Sequence, residues 1–137
     1  MRAARRVAAV DVELEVAFHD VDSLRVVWHG HYLKFVEIGR TALMRSRGLD
    51  VAQLEALGHR SVVIETHCRH TFPLRYGERF RVSSWLEEIE HRVRVGFEIH
   101  NLTRDRRSAI GHTILASLDA DGALLLATPE DLLALLR

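Results

Sequence analysis

The sequence contains a single cysteine, Cys68, among its 137 residues. One cysteine excludes an internal disulfide and any metal site that is built from several thiolates. Because stable disulfides belong to oxidising compartments, their exclusion favours a reducing one, and we expect the protein to be cytoplasmic.

An excess of charge of one sign is also missing. Nineteen lysines and arginines balance nineteen aspartates and glutamates, and the isoelectric point is about 7.1. No long block of like charge occurs, so we expect no nucleic-acid partner. The spacing of His31, His67, His70 and His112 is not typical of metal ligands, and we expect no bound metal.

Long apolar runs are missing as well. None approaches the roughly 20 residues that a membrane-spanning helix needs, so we expect no membrane span. The basic start of the chain has the charge of a signal peptide, but its apolar run ends early, at Asp11. We therefore expect no signal peptide.

The length and the 47% hydrophobic content fit one small domain over residues 1–137. Alternation of apolar and polar residues predicts a first strand that contains Val12, Leu14, Val16 and Phe18. Helical spacing then predicts a long helix from His31 to about Gly48, with an apolar face formed by Tyr32, Phe35, Val36, Leu43 and Met44.

Four further strands are predicted over residues 62–70, 80–86, 93–99 and 110–118. The connection from Gly48 to Ser61 is predicted to be a mobile loop. One long helix followed by a series of strands indicates the α+β class, with an antiparallel sheet that carries the helix on one face.

Asp22 lies in the loop between the first strand and the long helix. The first N–H groups of a helix have no partner within it, and they stabilise an anion or a polarised carbonyl oxygen. Asp22 could therefore take part in chemistry at this helix start. Aspartate is also common in loops and caps for structural reasons alone, and Asp20 is expected to organise the loop.

The motif over residues 18–40 runs Phe-x-Asp-x-Asp and then Val-Val-Trp-His-x-x-Tyr-x-x-Phe-x-Glu-x-x-Arg. It resembles the hot-dog-fold acyl-CoA thioesterases of the 4-hydroxybenzoyl-CoA thioesterase superfamily, and most closely their YbgC-type branch. The segments 72–78 and 128–133 resemble the same family. The resemblance implies a sheet wrapped around a central helix and hydrolysis of acyl thioesters without a cofactor.

The resemblance also implies roles for particular residues. Asp22 falls on the position of the catalytic carboxylate, as either nucleophile or general base. His29 falls beside it, either as a general acid or through its N–H group as a donor to the carbonyl oxygen, although it could be an ordinary, partly buried histidine. The implied substrate contacts come from Arg25, Trp28, Tyr32 and Glu37.

Two of these positions have competing interpretations. A related branch carries its catalytic glutamate on the central helix, but Glu37 could simply pair with Arg40, three residues along. The family usually has glycine three residues after the catalytic aspartate, where this chain has Arg25. Because arginine resists a positive φ, we expect the loop to run differently, with Arg25 either meeting an anionic part of the substrate or weakening catalysis.

The implied substrate is a thioester of coenzyme A or of an acyl carrier protein. Of the 19 basic residues 18 are arginine, and Arg69, Arg75 and Arg79 are candidates for the CoA phosphates. The family's sites lie between subunits, which implies a homodimer or homotetramer. A non-catalytic hot-dog module that binds acyl thioesters or a protein remains an alternative, whereas the residue pattern of hot-dog dehydratases is not found.

Overall fold

The structure is a computed structural model that describes residues 8–137. The first seven residues, which carry most of the basic start of the chain, lie outside the described residues. The elements are β1 (Val10–Glu15), α1 (His31–Ser46), α2 (Val51–Ala56), β2 (Arg60–His70), β3 (Arg79–Glu88), β4 (Val93–Asn101), β5 (Arg106–Leu118) and α3 (Glu130–Leu136).

The five strands form one antiparallel sheet in the order β1-β3-β4-β5-β2. The long helix α1 packs on one face of it, chiefly against β1 and β3. The core between them contains aromatic and branched side chains from both layers, among them Phe35, Val36, Phe80, Val82 and Phe97. The predicted α+β class is confirmed, and each predicted strand is present.

The predicted first strand is too long at its C-terminal end. β1 ends at Glu15, and residues Phe18–Asp20 form a turn of 3-10 helix instead. The reason is local, because the Asp20 carboxylate accepts a hydrogen bond from the Ala17 N–H at 3.0 Å. That contact turns the chain out of the sheet and towards the candidate site.

Helix α1 ends where the sequence predicts. Gly48 has a φ of +70°, and its N–H donates to the Arg45 carbonyl at 3.0 Å. The next N–H, that of Leu49, donates to the Met44 carbonyl at 2.9 Å. This pair of bonds is a Schellman motif, which needs a residue that tolerates a positive φ.

The predicted loop from Gly48 to Ser61 is wrong in part, because it contains α2 and the start of β2. Asp50 caps α2 by accepting a hydrogen bond from the Val51 N–H at 2.8 Å. The other carboxylate oxygen of Asp50 lies 2.6 Å from Nε of Arg45 on α1. The cap and the ion pair together fix a helix that is too short to be stable alone.

Candidate active site

The candidate site begins with a tight hairpin over residues 20–28. The N–H of Asp22 donates to the carbonyl of Val26 at 3.0 Å, and the N–H of Trp28 donates to the carbonyl of Asp20 at 3.0 Å. Val21 and Val27 form the bridge between these bonds. The hairpin therefore carries Asp22 near its tip and delivers the chain directly into α1.

Arg25 occupies the left-handed region, with a φ of +66°. Its N–H donates to the Asp22 carbonyl at 2.9 Å, which closes the turn at the tip. A turn followed by one left-handed residue is a common way to close a short hairpin. We expected Arg25 to resist this conformation, but it adopts the backbone geometry that a glycine would adopt here.

The Asp22 carboxylate is half-buried. One oxygen, Oδ1, accepts a hydrogen bond from the Leu24 N–H at 2.8 Å, which holds the side chain against the turn. Within residues 8–137 no hydrogen bond reaches the other oxygen, Oδ2. Asp22 is thus fixed through one oxygen and has the second available for a reacting group.

Asp20 has a structural role in the hairpin. Its side chain is buried and lies 2.6 Å from Nζ of Lys34 on α1, while its other oxygen caps Ala17. Burial alone would raise the pKa of this carboxyl, but the hydrogen bonds from Lys34 and Ala17 outweigh it, so that the pKa lies below its ordinary value. Asp20 ties the hairpin to α1, as a loop organiser should.

The start of α1 has backbone N–H groups that are available as hydrogen-bond donors. Gly30 is the N-cap, and no side chain caps this end of the helix. In the part of the chain that the structure describes, the N–H groups of His29 and Gly30 donate no hydrogen bond. The helix dipole adds partial positive charge at the same place, so this end can stabilise a carbonyl oxygen as it gains negative charge.

Trp28 lies directly over this helix start. A Cβ on Gly30 would collide with the six-membered ring of the indole, so only glycine leaves room for it. The indole also contacts the rings of His29 and His31, each at 5.3 Å between centroids. Trp28 is 47% exposed, so part of its surface remains accessible from outside.

A cleft of about 300 Å³ adjoins the helix start, lined by His29, Tyr32, His70 and Phe72 among others. The Tyr32 ring is buried and meets the His70 ring edge to face at 4.5 Å. Burial raises the pKa of Tyr32 to about 12. Burial, with a contribution from the nearby His29, also lowers the pKa of His70, which favours the neutral form of this imidazole.

The structure brings His29 and Tyr32 into this one cleft, and it places Asp22, Arg25 and Trp28 on the hairpin beside it. Among the described residues, Asp22 does not itself line the cleft. Sequence reasoning overlooked His70 and Phe72 as site residues. Their position at the end of β2, before Pro73, was the available signal.

Glu37 lies apart from the hairpin, further along α1. It is 70% exposed, and its Oε1 lies 3.9 Å from a guanidinium nitrogen of Arg40. This long ion pair supports the pairing interpretation. Glu37 and Arg40 do line a separate cavity between α1 and β2.

The arginines proposed for the CoA phosphates differ in their surroundings. Arg79 lies 3.7 Å from Glu13 and from Glu15, so its charge is already balanced. Within residues 8–137, Arg69 and Arg75 pair with no carboxylate. Sequence reasoning missed Arg106, whose guanidinium lies 4.4 Å from the centre of the Phe72 ring at the cleft.

No group of histidine, cysteine and acidic side chains within residues 8–137 is arranged to hold a metal ion. None of the helices in this described part is long and apolar enough to cross a membrane.

The chain matches the family model of the Thioesterase-like superfamily over residues 16–136. A related protein of Bacillus subtilis, YneP, is named as a candidate acyl-CoA thioesterase and is 33% identical over 90 residues. The matched segment makes up 65% of this chain and 65% of YneP, slightly less than two thirds of that relative's length.

Solved structures share the fold. A 1,4-dihydroxy-2-naphthoyl-CoA thioesterase from Synechocystis has a TM-score of 0.82 at 16% identity, over 93% of this chain and 95% of its own. A Staphylococcus aureus protein solved in complex with CoA has a TM-score of 0.83 at 14% identity, over 93% and 80%. These similarities confirm the predicted hot-dog fold. The family match spans the hairpin, α1 and four strands, and it shows that this chain belongs to the Thioesterase-like superfamily.

Proposed function

We propose that this protein hydrolyses acyl-CoA thioesters to a free acid and coenzyme A. The observation that carries the proposal is the hairpin at the start of α1. It holds Asp22 with one free carboxylate oxygen and leads into a helix end whose His29 and Gly30 N–H groups are uncommitted. Family membership and the thioesterase names of the relatives support the same reaction.

The carbonyl oxygen of the thioester binds at the N–H groups of His29 and Gly30. Nucleophilic attack moves negative charge onto this oxygen, and donors that are already oriented stabilise that charge without reorganisation. Removing one such donor in other enzymes costs a factor of about 10²–10³ in rate. The helix start would therefore supply the main stabilisation of the transition state.

Asp22 promotes attack on the carbonyl carbon by one of two routes. Its free oxygen attacks to form a mixed anhydride and expels the CoA thiolate, and water then hydrolyses the anhydride. Alternatively, Asp22 removes a proton from water, which attacks directly. In both routes the thiolate leaves and takes up a proton, for which the His29 imidazole at the cleft is a candidate donor, and neither route requires a cofactor.

The cleft and its rim bind the substrate. Trp28 offers exposed aromatic surface at the helix start, and the buried Tyr32 ring forms part of the cleft wall. Arg25 lies at the exposed tip of the hairpin. The CoA phosphates meet Arg106 at Phe72, with Arg69 or Arg75 as further partners, since these guanidiniums are free of carboxylates within residues 8–137. The related protein with bound CoA supports this ligand.

The protein acts as a homodimer or a larger homo-oligomer. Strand β2 forms an edge of the sheet and is exposed along nearly its whole length, including Val62, Val63 and Ile64 at 37–52% exposure. A long apolar edge strand tends to pair with another strand. Light scattering should give at least twice the 15.7 kDa chain mass, and Ile64→Lys should shift it towards the monomer.

A thioester of an acyl carrier protein would be hydrolysed by the same chemistry. A non-catalytic binding module would have the same fold but would not hydrolyse the thioester. Arg25 was the reason to consider lost catalysis, but its backbone adopts a positive φ, which glycine favours. Catalysis is therefore the proposal, in the cytoplasm where acyl-CoA is made and used.

The test is a thiol-release assay of the purified protein with acyl-CoA thioesters of short, long and aromatic acyl groups. We expect turnover of at least one of them, well above the background rate. Tight binding of acyl-CoA without any turnover would contradict the proposed hydrolysis and support the non-catalytic binding module instead.

A further inference from the structure

A second cavity lies further along α1, between this helix and the inner face of β2 and β5. Its volume is about 190 Å³. Leu33, Val36, Glu37 and Arg40 line it from the helix, and Val63, Thr66 and Thr113 from the strands. Because α1 packs chiefly against β1 and β3, this side of the helix is free of close strand contact.

Thr113, which lines this cavity, carries an unsatisfied hydroxyl. The residue is 1% exposed, and its Oγ1 has no hydrogen-bond partner among the described residues. It stands opposite Thr66 on β2 and Val95 on β4, and the burial of Val95 identifies the face towards α1. A buried hydroxyl without a partner is destabilising, so a core position normally carries an apolar residue instead.

Arg40 brings a cation to the same cavity with little to balance it. Its side chain is 15% exposed, and its carboxylate neighbour, Glu37, is 3.9 Å away and exposed to solvent. Burial lowers the pKa of the Arg40 guanidinium, and Glu37 only partly opposes this effect. A guanidinium has five N–H donors, and one long ion pair uses few of them.

A third cavity, of about 140 Å³, also has Arg40 in its wall. Its other walls are mainly apolar, with Met44, Leu49, Leu54 and Leu115 among them. Arg40 therefore lines both the second cavity and the third, which is mainly apolar. By the rise of an α-helix, Arg40 lies roughly 14 Å along α1 from His31.

We propose that Arg40 and Thr113 form a specificity subsite for an oxygen atom on the acyl group of the substrate, at a distance from the thioester. This inference rests on the proposed thioesterase function. Both side chains can donate hydrogen bonds, so the group they bind is an acceptor oxygen, either of a hydroxyl or of a carboxylate. Glu37 could also accept from a hydroxyl, whereas it would repel a carboxylate.

The test compares matched substrates. Hexanoyl-, octanoyl- and decanoyl-CoA are each assayed beside the same chain with a terminal hydroxyl or a terminal carboxylate, and benzoyl-CoA beside para-hydroxybenzoyl-CoA. We expect one oxygen-bearing member of a pair to exceed its parent in kcat/KM by at least about tenfold, the value of one good hydrogen bond to a charged group.

Two variants assign the preference to the subsite. Thr113→Val keeps the shape and removes the hydroxyl, and Arg40→Met keeps the apolar stem and removes the charge. Each should reduce the preference about tenfold and leave the unsubstituted parent within about twofold. Thr128→Val removes a different buried hydroxyl, which lies outside both cavities and has no partner among the described residues. It is the matched control and should leave the preference unchanged.

A binding measurement separates this proposal from the proposed function. The probes are S-octyl-CoA and the same thioether with a terminal hydroxyl or a terminal carboxylate, with their six- and ten-carbon counterparts, none of which can be hydrolysed. Each is tested for an increase in melting temperature of the wild type and of Thr113→Val. If the protein hydrolyses no thioester, a larger shift with an oxygen-bearing chain than with its plain parent, which Thr113→Val abolishes, still supports the subsite. Turnover without any preference, or equal losses on both members of a pair in both variants, would overturn it and leave the thioesterase function standing.

Discussion

The N–H of Arg25 donates to the carbonyl oxygen of Asp22 at 2.9 Å, and Arg25 makes this contact with a φ of +66°. A residue with a Cβ pays roughly 1–2 kcal/mol for the left-handed region, whereas glycine enters it freely. The hairpin that carries the candidate catalytic carboxylate is thus held at a conformational cost.

We predict that Arg25→Gly raises the free energy of unfolding by about 1 kcal/mol, measured by urea denaturation. Arg25→Ala is the control, since it removes the charge but keeps the Cβ and should not stabilise. If the Arg25 side chain contacts substrate, both variants should raise KM. A loss of stability in Arg25→Gly would contradict the strain argument.

The packing of α1 on β3 should be sensitive to a single methyl group. A Cβ on Gly39 would lie 2.5 Å from Cγ1 of Val82 and 2.7 Å from Oγ of Ser84, both well inside normal contact distance. Gly39→Ala should therefore destabilise the fold by about 1–3 kcal/mol. Val82→Ala in the same chain should recover part of that loss, and a double-mutant cycle with no coupling would show that the two residues do not meet.

Asp20 should make stability depend on pH in the acid range. Its folded-state pKa lies below the ordinary value of 3.8, so its stabilisation is fully present above that value and is lost as the pH falls through the lowered pKa. Asp20→Asn should cost on the order of 1–2 kcal/mol at neutral pH. The difference from wild type should shrink below about pH 4. A difference that does not vary with pH would show that the charge of Asp20 is not what ties the hairpin to α1.

Tyr32 should lose its proton only at an unusually high pH. Burial raises its pKa from 10.0 to about 12 in the folded protein. Its contribution to stability is complete below pH 10 and is lost as the pH rises from about 10 to 12, because the unfolded chain ionises first. The Tyr76→Phe variant leaves Tyr32 as the single tyrosine, and its ultraviolet absorbance should report a pKa near 12. An ordinary pKa near 10 would place the ring in contact with water.

The sequence predicts those parts of the fold that local signals determine. Period-two alternation identifies the strands, and Gly48 marks the end of α1 because a Schellman motif needs a positive φ. Helix α2 was missed because it spans only Val51–Ala56 and depends on the contact between Asp50 and Arg45. The conformation of Arg25 was missed because residue preference points the other way, and the surrounding hairpin overrides it.

For the candidate site, too, the sequence predicts only what local signals determine. The motif identifies Asp22 and His29, since both lie on one continuous segment. His70, Phe72 and Arg106 approach the cleft from β2, the following turn and β5, so only the assembled sheet shows their proximity. The unpaired hydroxyl of Thr113 is likewise a property of packing that no spacing in the sequence reveals.

The central claim is that the free oxygen of Asp22 performs the chemistry. Asp22→Asn keeps the size of the side chain and an oxygen for the Leu24 N–H, but it removes both the nucleophile and the base. Glu37→Gln is the matched carboxylate control on α1 and should cost far less in kcat. Melting temperature and light scattering should show that both variants keep the fold and assembly.

The most direct measurement is kcat of Asp22→Asn on the best acyl-CoA substrate, followed by thiol release. We predict a fall of at least about a hundredfold, the effect of losing a positioned catalytic group. Near-full activity in Asp22→Asn, together with loss of activity in Glu37→Gln, would contradict the claim and place the catalytic carboxylate on the helix instead of the hairpin.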